Sequence, residues 1–471
     1  MVDSLNHTPP HEHCGVVPTE CEALYLSPQG SSRCRLLESV GCGPAEVAHH
    51  DAGGFCRWHL QWLPTAKAPR ASMGIENQAY RIGAAMMIYL DHNASTPVDP
   101  RVATTIVEAS SEFANPASVQ HRSGQAAAEV VEEARNHVAD LAGRPARDVV
   151  LTSGASEAAN LGIIGAALGG APVRPNIVVA ATEHKAILSA ADVAAKLTGG
   201  EVRRARVERS GLVDLSHLAE LIDDTVSVVA LMAANNETGV LAPSRAAAEL
   251  ARHRGALLFT DVTQLAGKGD MANVVDCSDL LVCSSHKIYG PKGAGALIAS
   301  RHIQRRLVPI FPGGGQEFEL RGGTQNTPAL AGFGRAAQLA AKEQPADAQR
   351  LAHLTDELLT GLRLRLSDVE VNGIEAERLT NTLSLRFRGA DAEAVMTSMP
   401  GVAVSSGSAC QSATPTQSHV LLAMGLTHQA ASETLRISLG RPTTLDEIEH
   451  ATDEIASAVV RVRELTTRSE G

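Results

Sequence analysis

The sequence predicts an α/β protein with a large, mainly parallel sheet domain followed by a smaller α+β C-terminal domain. Six short apolar runs, DVVLTSG, NIVVAATEH, VSVVALMAANN, GALLFTD, DLLVCSSHK and GAGALIAS, alternate with longer alanine-rich stretches of helical period. Runs without strict polar alternation suit strands covered by helices on both faces. Polar residues gather just beyond them, at the strand ends where ligands collect in open α/β sheets. A third observation is the change of pattern after about residue 345, where one strand-like run, ERLTNTLSLRFRG, is set among helical segments.

Taken in order, residues 1–85 hold both tryptophans, Trp58 and Trp62, and five of the eight cysteines, with little periodicity. They read as an extension. Residues 86–105, which begin at Met86 and Met87 and contain YLDHNASTPVDP, are expected to pack with the small domain. In residues 106–344, the expected large domain, GQAAAEVVEEARNHVADLAG sets Val131, Ala134, Val138 and Leu141 on one helical face. The expected small domain, 345–471, ends in a helix announced by Thr444 and, three residues on, Glu447, the two parts of a capping box.

With 471 residues, 44% of them hydrophobic, the chain can fill substantial cores. Its formal net charge of −11 argues against a protein built to grip nucleic-acid backbones, so no direct nucleic-acid binding is expected. No apolar stretch is long enough to cross a bilayer, and the opening MVDSLNHTPPHEHC lacks the basic and then apolar pattern of a secretory signal. A cytoplasmic protein without a membrane partner is the expectation.

The strongest local signal is CSSHKIYGPKGAGAL, in which Lys287 follows an apolar run and precedes a glycine-rich turn. An amine so placed can form an imine with a carbonyl cofactor; alone, it reads more readily as a solvated lysine or a generic phosphate contact. Two further segments sharpen the case. LTSGASEAAN supplies a strand-to-helix turn whose N–H groups near Ala155 and Ser156 can hold a phosphate. LLFTDVTQ ends a run on Asp261, suited to a cationic ring nitrogen, with Gln264 three residues on, and His184 in ATEHK offers a ring to stack on a cofactor. Pyridoxal 5'-phosphate (PLP) explains the lysine, phosphate nest, acid and ring together.

Through YLDHNASTPVDP, FANPAS, TSGASEAAN, ATEHK, ANNETG, DVTQ, SSHKIYGPKG, GGGQEFELRGGTQN, SSGSAC and RISLGR, in that order, the chain resembles the class V aminotransferase group of PLP enzymes, specifically the NifS/IscS-like cysteine desulfurases. The resemblance implies PLP fold type I and a homodimer. It gives Lys287 to the imine, His184 to stacking, Asp261 to the pyridine nitrogen, and Gln264 to the phenolic oxygen; an imidazole's intrinsic pKa of about 6.5 lets His184 also assist proton transfer. Asn236 would orient cofactor and substrate; Ser156, Ser284 and His286 would face the phosphate, with Thr324 reaching in from the other subunit. Arg436 would grip the substrate carboxylate. Ser156 stands where threonine is common, and Thr263 where alanine or valine is usual.

Cys410 ends the run SSGSAC, where no neighbour is bulky enough to bury it. Read alone, it is a structural thiol, a metal ligand or a nucleophile; small flexible neighbours favour a travelling sulfur over a core one. The resemblance makes it the persulfide-forming cysteine, implying conversion of L-cysteine to alanine with sulfur passed to an acceptor protein. Selenocysteine lyase or another PLP-dependent carbon–sulfur enzyme is the alternative, and a non-enzymatic sulfur-assembly scaffold the alternative of a different class. For the extension, Cys14, Cys21, Cys34, Cys42 and Cys56 are weak metal-ligand candidates whose spacings match no compact zinc or iron–sulfur signature. A sulfur relay and a variable extension are the other readings.

Overall fold

A computed structural model describes residues 81–82, 85–406 and 417–469. Seven strands build the main sheet: β1 (Val149–Thr152), β2 (Asn176–Ala180), β3 (Val202–Ala205), β4 (Val226–Ala230), β5 (Leu257–Asp261), β6 (Leu280–Ser284) and β7 (Gly295–Ala299). Their spatial order is β1-β7-β6-β5-β4-β2-β3. β7 runs antiparallel to β1 and β6, and every other neighbouring pair is parallel. All six apolar runs become strands of this sheet.

Side chains of successive strand residues point to opposite faces, and here both faces are cores. Val149 and Leu151 enter one apolar cluster while Val150 enters another; Leu281 and Cys283 part from Leu280 and Val282 in the same way. That two-sided burial is why the runs show no polar alternation. The exception is β3, an edge strand that carries Arg203 and Arg204 and was not among the expected strands.

The C-terminal part is a three-stranded antiparallel sheet of β8 (Val369–Val371), β9 (Thr382–Phe387) and β10 (Thr434–Ser438), backed by the helix Leu445–Ser469. Leu383, Leu385, Phe387, Leu435 and Ile437 share its core with Ile455 and Val459. Thr444 Oγ1 accepts from Glu447 N at 3.3 Å, and Glu447 returns a carboxylate oxygen to Thr444 N at 2.9 Å, closing the capping box. The architecture is that of PLP fold type I: a large sheet domain and a smaller α+β C-terminal domain.

Two elements tie these layers together. The 39-residue helix Thr327–Arg365 places Phe333, Ala337 and Ala340 in the core of the large sheet, and Leu351, Leu354, Leu358 and Leu362 in that of the small one. The boundary expected at residue 344 falls inside it. Ile88–Tyr89 pairs in parallel with Val402–Ala403, and Leu90 enters the small-domain core, whereas Val102 enters the core of the large sheet. The polar run from Asp91 to Ser95 therefore crosses between the two sheets.

Candidate active site

The site lies beyond the carboxyl ends of β5 and β6, where the run from Asp91 to Ser95 passes over them. Lys287 closes a short 3-10 turn, Ser285–Lys287, directly after β6. Its Nζ donates to the backbone carbonyls of Asn93 at 2.5 Å and Ala94 at 2.8 Å. The same Asn93 carbonyl accepts from Gln264 Nε2 at 2.9 Å.

Asn93 is the hub. Its backbone N–H donates to Ser438 Oγ at 2.9 Å, and its Nδ2 to Asn236 O at 3.2 Å and Thr382 Oγ1 at 2.9 Å. Asn236 O also accepts from Arg436 Nη1 at 3.2 Å, so the link from this residue into the network is its backbone carbonyl. Arg436, on β10, is buried and pairs through Nη2 with Asp91 Oδ1 at 2.7 Å, while its Nε has no hydrogen-bond partner. Lys287, Gln264, Asn236 and Arg436 are thus gathered by residues that lie 143 to 345 positions away in the sequence.

A second group stands at the ends of β2 and β5. His184 caps the helix Lys185–Thr198, its Nδ1 accepting from Ala186 N at 3.1 Å. Burial, foremost, lowers its pKa, with Lys287 and His419 acting the same way and Asp261 opposing, so the ring is held neutral at neutral pH. Nδ1 being the acceptor, the neutral ring carries its proton on Nε2. Asp261 ends β5 half-buried, with Oδ1 accepting from Thr263 N at 2.8 Å.

The third group is at the ends of β1 and β6. Ala155 and Ser156 open the helix Ala155–Gly170, where the first N–H groups have no partner within the helix. Gly154 precedes them at φ 155°, and a Cβ on Gly295 would stand 2.5 Å from its Cα, so only glycine allows β7 to pass this close. Ser284 is buried beside that turn. His286 Nδ1 lies 3.2 Å from Ser95 Oγ, and burial, followed by Lys287, Lys292 and Lys268, pushes its pKa down to about 4. Thr324 is exposed just after Gly323 and is not joined to these groups.

Cys410 and the five N-terminal cysteines lie outside the described residues. The approach to Cys410 is described as far as Ser406: Ser405 N donates to Arg436 O at 3.1 Å, and Arg436 N to Ser405 O at 2.6 Å. On the far side, Ser418 Oγ donates to the buried carboxyl of Glu237, and His419 Nε2 lies 2.9 Å from Glu183 O. Glu183 accepts from Met232 N at 2.7 Å, and burial pushes its pKa up to about 8.

Asp91, Asn93 and Lys268 were not singled out from the sequence. Asp91 and Asn93 sit in the polar run after an apolar start, YLDHNAST, and Lys268 is four residues from Gln264, one turn of a helical path. Those are the signals they carried. Among the described residues no cluster of three or more His, Cys, Asp or Glu side chains has metal-binding geometry, and no helix is long and apolar enough to cross a membrane.

Residues 88–450 match the model of the class V aminotransferase family. A cysteine desulfurase of Frankia sp. (strain EuIK1) is 49% identical over 392 residues, which cover 81% of this chain and 93% of that protein. Among solved structures, a NifS-like protein superposes with a TM-score of 0.73 at 30% identity, covering 80% of this chain and all of the other. The structure of SspA in complex with cysteine superposes with a TM-score of 0.66 at 32% identity, over 74% of this chain and 98% of that one. The chain belongs to the class V aminotransferase family and, within it, to the NifS/IscS-like cysteine desulfurases, whose members are PLP-dependent enzymes.

Proposed function

We propose that this protein is a cysteine desulfurase that binds PLP, converts L-cysteine to L-alanine, and keeps the sulfur as a persulfide on Cys410 for an acceptor protein. The observation that carries this reading is the backbone pairing of Ser405 with Arg436. It fixes the start of the cysteine-bearing segment beside the arginine proposed to hold the substrate carboxylate. Cys410 is five positions on from Ser405, a reach of roughly 17 Å at full extension. A thiol on such a tether can meet a substrate held at Arg436 and also travel away from it.

The residues fit PLP. Ala155, Ser156 and Ser284 stand at the glycine-floored turn suited to a phosphate, His286 would join them from the turn after β6, and Thr324 is exposed, as a residue serving a second subunit's site in a homodimer would be. Asp261 would hold the ring nitrogen, His184 would lie over the ring, and Gln264 would donate to the phenolic oxygen. When bound, PLP supplies an electron-withdrawing ring that takes up the electron pair released as the substrate Cα loses its proton.

Lys287 would take that proton and return it, its amine standing at the carbonyls of Asn93 and Ala94 within the network. Asn236 orients the substrate, and the planar guanidinium of Arg436 offers two parallel donors to its carboxylate. Neutral His184 can accept or deliver a proton near neutral pH. The Cys410 thiolate attacks the substrate sulfur; the S–S bond forms as the C–S bond breaks, and its electron pair leaves with the carbon skeleton that becomes alanine. A free thiol has a pKa of about 8.5, so enough thiolate exists without a dedicated base.

Intact mass spectrometry after a brief L-cysteine pulse under non-reducing conditions tests this. One added sulfur atom is expected on the wild type and none on C410A. Wild type that binds PLP but gains no sulfur overturns the desulfurase reading and favours selenocysteine cleavage or another PLP reaction.

A further inference from the structure

We propose that Lys268 is a positioning residue that holds the carboxamide oxygen of Gln264 and so leaves the amide nitrogen of Gln264 to face the phenolic oxygen of PLP. The inference rests on the cofactor reading above and adds to it a residue that acts through another.

Lys268 Nζ lies 2.5 Å from Gln264 Oε1 and 3.1 Å from Asn93 Oδ1. Lys268 offers N–H donors in either protonation state, and the ends of the two amides that meet it are their oxygens, while the other end of Gln264 faces the Asn93 carbonyl, which only accepts. With Oε1 so held, Gln264 Nε2 has two hydrogens: one goes to Asn93 O at 2.9 Å, and the other remains for a ligand. Rotating the amide by half a turn would set its oxygen against the Asn93 carbonyl and turn it away from the lysine's N–H groups, losing the bonds to both. Asn93 is fixed by the same logic, because its Nδ2 is then directed at Asn236 O and Thr382 Oγ1.

A purely structural role explains Lys268 poorly. Among the described residues it forms no ion pair with a carboxylate, and burial, followed by Lys287 and Arg436, drives its pKa well below the usual lysine range. A buried amine without a counter-charge weakens a fold relative to an apolar side chain of the same length. Its partners here are two amides of the site.

The test uses full-length protein loaded with PLP, with the absorbance of the bound cofactor followed against pH in the wild type, K268M, Q264A and the double variant. A donor on the phenolic oxygen stabilises its anion and weakens the hold on the proton shared with it, so losing the donor raises the titration midpoint. K268M is expected to raise the midpoint by about one pH unit, the size of a single hydrogen bond to a charged acceptor, while its thermal midpoint is unchanged or higher. Q264A is expected to raise it similarly, and K268M added to Q264A to raise it no further. K268Q, which keeps an N–H donor, should move it less and serves if K268M does not fold. A wild-type midpoint in K268M, or a shift that adds in full on the Q264A background, overturns the proposal. Wild type that shows no cofactor band overturns the PLP reading itself, and this inference with it.

Discussion

At Arg436 the chain spends buried surface on a charge. Only 4% of the side chain is exposed, one amino group is committed to Asp91, the other to the Asn236 carbonyl, and Nε has no partner. A lysine would bring one charge but not a planar set of donors. Arg436→Lys is therefore expected to raise the KM for L-cysteine about tenfold or more, the loss of one charge-assisted hydrogen bond, with a smaller change in kcat and no change in the cofactor absorbance. Steady-state kinetics decide it, and an unchanged KM removes Arg436 from carboxylate binding. Lys287 stood out in the sequence because it follows an apolar strand in a short, distinctive run, and Arg436 through the resemblance carried by RISLGR. Asn93 did not, because its importance comes from contacts made across 171 to 194 residues, which no local pattern encodes, and Lys268 did not, because its four-residue spacing from Gln264 is common on any chain and gains meaning only where both meet Asn93.

The same contrast holds for elements. The strands were legible because burial on both faces leaves an unbroken apolar run, and β3 was missed because an edge strand tolerates Arg203 and Arg204. The segment Glu317–Glu319 was also opaque: Glu317, Phe318 and Glu319 all take positive φ, 46°, 60° and 71°, at positions with no glycine. Backbone of this kind persists only when its surroundings over-determine it. Glu317 supplies that anchor. Its carboxylate takes two hydrogen bonds from Arg135, at 2.7 and 2.9 Å, and others from Leu151 N and Gln325, while Arg135 reaches Val149 O. A helix, β1 and the strained turn therefore meet at one buried ion pair. Glu317→Gln is expected to destabilise the protein by about 3–5 kcal/mol, since it leaves the buried Arg135 charge with only the largely exposed carboxylate of Glu132 as counter-ion. Replacing both partners, with Arg135→Met and Glu317→Leu, should cost less than the sum of the single changes. Urea unfolding at neutral pH gives both figures, and additive losses would show that the two residues act independently.

Across the whole molecule, buried titratable groups of opposite sign set how stability follows pH. Burial pushes His92 down to about 3 and His286 to about 4, from an unfolded value of 6.5. The unfolded chain binds more protons there, so their contribution is complete above pH 6.5 and is lost as pH falls toward 4 and 3. Glu183 and Glu237 are pushed the other way, to about 8 and about 7, from 4.5. For them the folded protein binds more protons, and their contribution is complete below pH 4.5 and is lost as pH rises through 7 and 8. Between pH 4.5 and 6.5 the two pairs oppose each other, which flattens the profile; below it only the histidine limb remains, and above it only the glutamate limb. Glu183→Gln keeps the shape of the protonated acid and removes its titration. The stability of this variant relative to wild type is expected to grow from pH 4.5 to 8, by up to roughly 5 kcal/mol at about 1.4 kcal/mol per pH unit, and to level off beyond. Urea midpoints measured across that range decide it: if the variant and the wild type run parallel, Glu183 is ionised in the folded protein, and the buried carboxyl that accepts from Met232 is a charge and not a stored proton.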